Sequence, residues 1–476
     1  MKKLLPLFIL LTSFSAFGQD GYKINVTLKP FKNQYIFLGH YYGKQLPIID
    51  SALLNEKGEA VFKGDKKLGG GIYLVGYPNK SGFFEILVDK QQHFSVTADT
   101  IDVIHNLKFQ NSTDNVLFNS YQQHMQVKGK EIEDAIRQRQ SAVSPADSAR
   151  WATIIEKNNK EIKEYRENIL KQSPNSMMAF LLTAMREPEV PAANNQPGGK
   201  YDSAFAYHYY KSHFWDGVNF FDDRLARTPF FENKLDKYFE QVVYQSPDSV
   251  NKEIDNMMAF ANANQEMQKF MLLHFINRYL NQKYMWEDAV FVHLFEKYLS
   301  QKDYDWLTEK GKKMITDRAY SLMSNILGTP AADINLPDST GKDISLYSLD
   351  ASYTLVFIWD PTCGHCKETA PKIDSIYQAK WKSLGVKIYA LAKETDGNKK
   401  DWLQFINEHQ LQWTHVYYSK EADKKRINAG IPGYSQLYDV LSFPTLYLLD
   451  KDKRIIAKKL TYQQIDELLD YKIKGK

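Results

Sequence analysis

Cysteine is almost missing from this chain: 476 residues carry two, Cys363 and Cys366, against 30 tyrosines and 27 phenylalanines. That scarcity excludes a disulfide framework as the source of stability. It also argues against structural zinc, which wants four ligands and often a second C-x-x-C pair or a spaced histidine pair. Net charge is small as well, with 61 basic residues against 57 acidic ones and a formal charge of +4. A balance that close to neutral points to no polyanionic partner. The basic runs at 310–313 and 451–459 lack aromatics interleaved on one face and read as solvated surface, so no nucleic-acid site is expected. Long apolar runs are absent beyond the N-terminus, and no later segment approaches the ~20 residues needed to span a bilayer.

What is present begins with Met1-Lys2-Lys3, an apolar run at 4–11 and the small residues Ser15-Ala16-Phe17-Gly18. These are the basic, hydrophobic and cleavage regions of a secretory signal peptide, with cleavage expected after Gly18. The run is short and contains Pro6, which disfavours an uncleaved anchor. No cysteine follows it, so attachment of a lipid is chemically unavailable. Loss of Lys2 and Lys3 leaves a formal charge of +2, and the mature protein is expected to be exported and soluble in the periplasm or cell envelope. With 43% hydrophobic residues, its folding rests on apolar burial, and the length suffices for several cores.

Three regions follow the expected leader of residues 1–18. Residues 19–110 alternate apolar and polar positions, as at Tyr22, Ile24, Val26 and Leu28, and again near 35–37, 60–62, 72–75, 84–88 and 94–98. Turn chemistry at Lys57-Gly58, Gly69-Gly70-Gly71 and Ser81-Gly82 separates these runs, which predicts a small antiparallel β-sandwich. Residues 111–326 switch to apolar spacings of three and four, as in 151–170, 267–280 and 289–299, and predict an all-helical module. Its one clear interruption, 187–199, holds three prolines, two glycines and two asparagines. Residues 327–476 alternate strands and helices: an apolar strand at 354–358, a helix from 367, a strand at 386–392, a helix at 401–408, a hairpin at 445–459 and a helix from 461. The expected class is therefore multidomain: β-sandwich, all-α region, then an α/β thioredoxin fold.

The chemistry is concentrated in Trp359-Asp360-Pro361-Thr362-Cys363-Gly364-His365-Cys366-Lys367. Cysteines spaced i and i+3 at a helix start can reach each other, and the helix N-terminus favours the thiolate of the first. This predicts a redox pair whose Cys363–Cys366 disulfide is its own cofactor, with no metal. A zinc or inert role is the rival reading of the pair. Other clusters are weak. His208 and His213 are five apart, as are Asp288 and His293, a spacing that does not place two ligands on one helical face. The aromatic stretch 207–221 is most simply core.

The last 150 residues resemble the TlpA/ResA branch of extracytoplasmic thioredoxin-like proteins. The matching features are Gly328-Thr329-Pro330-Ala331, Gly341, Leu346, Trp359, the Cys-Gly-His-Cys pair, Pro371, Phe443-Pro444-Thr445 and Leu448-Leu449-Asp450. The upstream regions, most recognisably 238–250 and 285–293, resemble modules that often precede such domains in Gram-negative envelope proteins. The resemblance implies that Cys363 attacks a protein disulfide and Cys366 resolves the mixed disulfide. It further implies a cis Phe443-Pro444 bond presenting the Phe443 backbone to substrate, with Thr445 beside it, and it favours a Trp359 that covers the active-site surface over one that simply packs. His365 is expected to stabilise the Cys363 thiolate when cationic, which raises the reduction potential.

Two departures matter. Thioredoxin carries a buried acid six residues before its first cysteine, where this chain has Phe357; Asp360, Lys393 and Glu394 are the nearest substitutes in sequence. An acid usual between ResA cysteines is replaced by Gly364-His365, the dipeptide of protein disulfide isomerase, so reductase and oxidase or isomerase directions both stay open. A peroxiredoxin would need Thr or Ser at 360 and Pro at 356, where Asp360 and Val356 stand, and peroxidase activity is not expected. The expected partners are protein thiols or disulfides and an envelope redox partner, and a homodimer through the upstream modules is compatible with the sequence. A binding or assembly protein with a vestigial redox domain is the alternative function.

Overall fold

The computed structural model describes residues 21–474, so the expected leader at 1–18 lies outside the described residues. The alternation that begins at Tyr22 becomes β1 (Tyr22–Lys29), with Ile24, Val26 and Leu28 buried and their neighbours turned outward. Seven further strands complete the N-terminal region: β2 (Tyr35–His40), β3 (Ile48–Leu53), β4 (Glu59–Gly64), β5 (Gly71–Gly76), β6 (Phe83–Val88), β7 (His93–Asp99) and β8 (Lys108–Gln110). They form two sheets of order β4-β1-β7-β8 and β3-β2-β5-β6 around one apolar core. Antiparallel pairing holds throughout except between β1 and β7, which run parallel. The two strands that the pattern does not predict, β3 and β8, are edge strands with no buried residue, so they have no apolar alternation to read.

Helices follow from 113 to 323, as the spacing predicted. Ser112 and Ser144 cap the two longest, Thr113–Gln140 and Pro145–Gln172, by accepting the amides of Asn115 and Asp147. Asn115 is fully buried and pairs through its amide with both the N–H and the C=O of Leu87 on β6, at 2.7 and 2.8 Å, as a neighbouring strand would. The proline-rich loop at 187–199 is pinned by buried Gln196, which donates to the Pro191 carbonyl and accepts the Asp202 amide.

Compactness divides the chain differently from secondary-structure content. One unit comprises the described residues up to Val243 with Asn256–Met271; the other comprises Tyr244–Asp255 with everything from Leu272 onward. Helical residues 272–326, expected to belong with the upstream module, therefore fold with the C-terminal domain. The reason is a set of buried polar ties. The Lys458 ammonium meets Asp288 and both oxygens of Asn325, and Asp439 accepts from Arg318 and Ser321.

At the centre of this second unit lies a five-stranded sheet of order β13-β12-β11-β14-β15. Its strands are β11 (Tyr353–Trp359), β12 (Val386–Lys393), β13 (Thr414–Tyr418), β14 (Thr445–Leu449) and β15 (Ile455–Lys458), preceded by a short hairpin of β9 (Asn335–Pro337) and β10 (Asp343–Ser345). Strands β11, β12 and β13 run parallel, whereas β14 is antiparallel to β11 and β15 to β14. Both faces of the sheet are covered, which is why β11 is a continuous apolar run rather than an alternating one. This is the thioredoxin arrangement of parallel strands and a C-terminal hairpin.

Candidate active site

Strand β11 ends by delivering Trp359 and Asp360 into a tight turn. Asp360 is buried, and its Oδ1 accepts both the amide and the hydroxyl of Thr362 at 2.7 Å, while Thr395 donates its hydroxyl to Oδ2. The turn closes with the Cys363 amide donating to the Asp360 carbonyl at 3.1 Å. Gly397 packs against it so closely that an added Cβ would lie 2.3 Å from the Thr362 methyl, so no side chain fits there. The helix Gly364–Ala379 then starts with Cys363 itself at the N-cap and no capping side chain. Its first-turn amides, which have no partner within the helix, remain available to negative charge developing on the Cys363 sulfur.

The two sulfurs differ sharply in environment. Cys363 is partly exposed, whereas Cys366, one turn on, is 0% exposed and packed in the core with Ala370, Ala392 and Trp402. Burial pushes the Cys366 thiol well above the ordinary thiol range, and the neighbouring Cys363 and Asp360 carboxylate add to the rise against an opposing pull from the Asp360 backbone. The Cys363 sulfur lies 3.9 Å from the carbonyl oxygen of Phe443, whose bond to Pro444 is cis. The fold thus brings together Cys363, Cys366, Phe443 and Pro444 from opposite ends of the domain's sequence.

The other expected site residues sit elsewhere. Trp359 has no exposed area; its ring stacks on Phe357 at 5.8 Å and packs against Phe405, so it supports the site from the core and does not present a surface to substrate. Thr445 is also buried, and its hydroxyl donates to the Ser442 carbonyl at 2.7 Å, so it fixes the loop that carries Phe443 and Pro444. His365 points to solvent and makes no hydrogen bond among the described residues. Of the three substitutes for the missing strand acid, Asp360 lies by Cys366, while Lys393 is on the opposite face of the sheet, bound to Asp423 and Ser435. Glu394 accepts the Lys420 amide. Asp288 and His293 diverge, to Lys458 and Asp255, and among the described residues no group of three or more His, Cys, Asp or Glu could hold a metal ion.

Residues 327–458 match the AhpC/TSA family. Over 146 residues the chain is 29% identical to the thiol-disulfide oxidoreductase ResA of Bacillus thuringiensis, covering 30% of this chain and 76% of that protein. The C-terminal domain is a TlpA/ResA-like thioredoxin-like domain. Its family is that of thiol-disulfide oxidoreductases. Upstream of the thioredoxin-like domain, residues 155–323 match a domain of unknown function (DUF5106). A thioredoxin-like protein from Haemophilus influenzae is 26% identical over 25% of this chain and 62% of its own length. Among solved structures, a thioredoxin-like protein from Bacteroides caccae is similar at 24% identity and a TM-score of 0.45, over 60% of this chain and 98% of that one. A domain of a possible thiol-disulfide isomerase from Cytophaga hutchinsonii is similar at 32% identity and a TM-score of 0.28, over 32% of this chain and 95% of that one.

Thr395 and Gly397 escaped the sequence reading. Their only sequence signal is the turn chemistry of Thr395-Asp396-Gly397-Asn398 after β12, which marks a loop without saying that it packs on the cysteine turn.

Proposed function

We propose that the protein exchanges electrons with protein thiols and disulfides of the cell envelope through Cys363 and Cys366. The observation that carries this reading is the asymmetry of the pair: one sulfur partly exposed at an uncapped helix start beside the Phe443 carbonyl, the other fully buried one turn deeper. In the reducing direction the Cys363 thiolate attacks a substrate disulfide, one substrate sulfur leaves as a thiolate, and a Cys363–substrate disulfide forms. Cys366 then loses its proton and attacks the Cys363 sulfur. The second substrate sulfur leaves, the Cys363–Cys366 disulfide forms, and two electrons have passed to the substrate. A dithiol redox partner in the envelope restores the pair by the same exchange, and the oxidising direction runs these steps in reverse.

The buried Asp360 carboxylate, held by Thr362 and Thr395, is the group by which the Cys366 proton leaves. Exposed His365 contributes through its charge alone, stabilising the thiolate when protonated. Among the described residues no helix is long and apolar enough to cross a membrane. Export through the N-terminal leader is part of the proposal.

A Cys366→Ser variant tests the reading, because it stops the exchange at the mixed disulfide. Incubated with oxidised insulin, it is expected to accumulate a covalent adduct that dithiothreitol releases and that a Cys363→Ser variant does not form. Failure to form any adduct would leave the domain to binding or assembly alone.

A further inference from the structure

The loop that carries Phe443 and Pro444 has a second face. It lines a groove of about 550 Å³ together with Lys372 and Leu441, and that groove runs into a larger one of about 1510 Å³. Asp439, Leu441, Lys459 and Leu460 line both. The far side of the larger groove comes from the region that precedes the thioredoxin-like domain, from Tyr284 and Trp286 on an interhelical loop and Met314 on the helix Glu309–Met323.

Three properties of this groove converge. Large apolar side chains are left open to water: Leu441 is 78% exposed, Tyr284 56% and Met314 52%, and the Tyr284 ring lies parallel to Trp286 at 6.3 Å. The groove is also preformed. Asp439, at the base of the cis-proline loop, is 2% exposed and takes Arg318, Lys459 and the Ser321 hydroxyl at once, which ties the loop to the helix Glu309–Met323. Finally, its carboxylates are already committed, Asp288 to Lys458, Asp317 to Lys313 and Asp439 to two cations. Lys310 and Lys372 have no carboxylate partner among the described residues, which leaves the groove with an excess of positive charge.

We propose that this groove binds the segment of a protein substrate that flanks its reacting cysteine, an extended stretch carrying carboxylates and a large apolar side chain. The proposal rests on the reading of Cys363 as the attacking thiol. The Cys363 sulfur lies 3.9 Å from the Phe443 carbonyl, and Ser442 and Pro444 on either side of Phe443 line the smaller groove, so a chain bonded to Cys363 can follow this loop into it. Exposed rings and Leu441 accept the apolar side chain, and the unpaired lysines meet the carboxylates. Residues 280–321 thereby select substrates for the redox pair.

The test uses the full chain as its Cys366→Ser variant and two peptides, each with one cysteine activated as a mixed disulfide with thionitrobenzoate. In one the cysteine is followed by Glu, Phe and Glu; in the other by Lys, Gly and Lys. The Cys363 thiolate attacks the peptide sulfur, the peptide–thionitrobenzoate bond breaks, thionitrobenzoate leaves as the coloured thiolate, and the Cys363–peptide disulfide is read by intact mass. The acidic peptide is expected to react about tenfold faster, with the preference shrinking as salt is raised and vanishing in the Lys310→Glu/Lys372→Glu variant. Equal rates for the two peptides, or a preference that survives charge reversal, would overturn the groove proposal alone. No adduct with either peptide would overturn the reading of Cys363, and the groove with it.

Discussion

Replacing Asp288 by alanine takes a carboxylate away from a buried ammonium. The Lys458 side chain is 1% exposed and that of Asp288 4%. After the substitution the ammonium keeps two neutral acceptors, the Asn325 carbonyl at 2.6 Å and its side-chain oxygen at 2.7 Å. Breaking a buried pair from one side costs about 3–5 kcal/mol. Burial already holds Lys458 below the ordinary lysine range, with Asp288 pulling it back up, so without Asp288 the amine can shed its proton and the cost falls to about 3 kcal/mol. The chain's own cysteines supply the assay. In a Cys363→Ser background Cys366 is the sole thiol, it is 0% exposed, and its alkylation reports unfolding of this domain and no other. With a guanidinium slope of about 2–6 kcal/mol/M, the midpoint of the alkylation transition should fall by about 0.5–1.5 M. The double variant Asp288→Ala/Lys458→Met, which removes both charges, should lose about 2 kcal/mol less than the two single losses together. A shift under about 0.2 M, or strict additivity, would refute the view that this ion pair fastens residues 272–326 to the thioredoxin-like sheet.

Three further outcomes follow from the same structure. In the reduced, folded protein at neutral pH, iodoacetamide should label Cys363 and spare Cys366, because burial keeps the inner thiol protonated; equal labelling in peptide maps would contradict the asymmetry. Burial lowers His415 from 6.5 to about 4, so the folded state stays neutral while the unfolded chain takes up a proton as pH falls below 6.5. Stability present above that pH is lost between about 6.5 and 4, by about 3 kcal/mol, and a His415→Phe variant should show a flatter acid limb in denaturant titrations. In the other unit, buried Lys234 donates to the carbonyls of Ala184 and Arg186 at 2.9 and 2.8 Å beneath Phe214 and Trp215. Lys234→Met keeps the volume but orphans both carbonyls, and should cost about 1–3 kcal/mol, seen as a lower melting midpoint; an unchanged midpoint would contradict it.

Where local pattern carries the information, the sequence was readable. Strand β1 shows period-two burial, and β11 ends directly at the cysteine turn, so the C-x-x-C motif could be placed on its element in advance. The helix after it begins at Gly364, three residues earlier than periodicity predicts, because Cys363 acts as the cap and leaves no polar signature there. Strand β13 went unread: its Thr-His-Val-Tyr-Tyr run is buried from both faces and carries no alternation. The parallel pairing of β1 with β7 is likewise invisible, since register between distant strands is set by the assembled core. Side-chain orientation was the harder problem at the site. Trp359 sits four residues before Cys363 and was expected at the surface, yet the aromatic core of Phe357 and Phe405 draws it inward. The ties from Lys458 and Asp439 to residues more than 100 positions upstream have no local signature at all, and they are what move the compact boundary away from 326.

The central claim is that Cys363 and Cys366 form a working redox pair, and its most direct test is the equilibrium of the full chain with a series of glutathione buffers, quenched with a thiol-specific mass label. One reversible two-electron transition between the dithiol and the Cys363–Cys366 disulfide is expected. A midpoint near −250 mV or lower would mark a reductase needing an electron donor, and about −200 mV or higher an oxidase or isomerase, as Gly364-His365 suggests. A dithiol that stays reduced, or a disulfide that stays oxidised, across the whole series would contradict the claim.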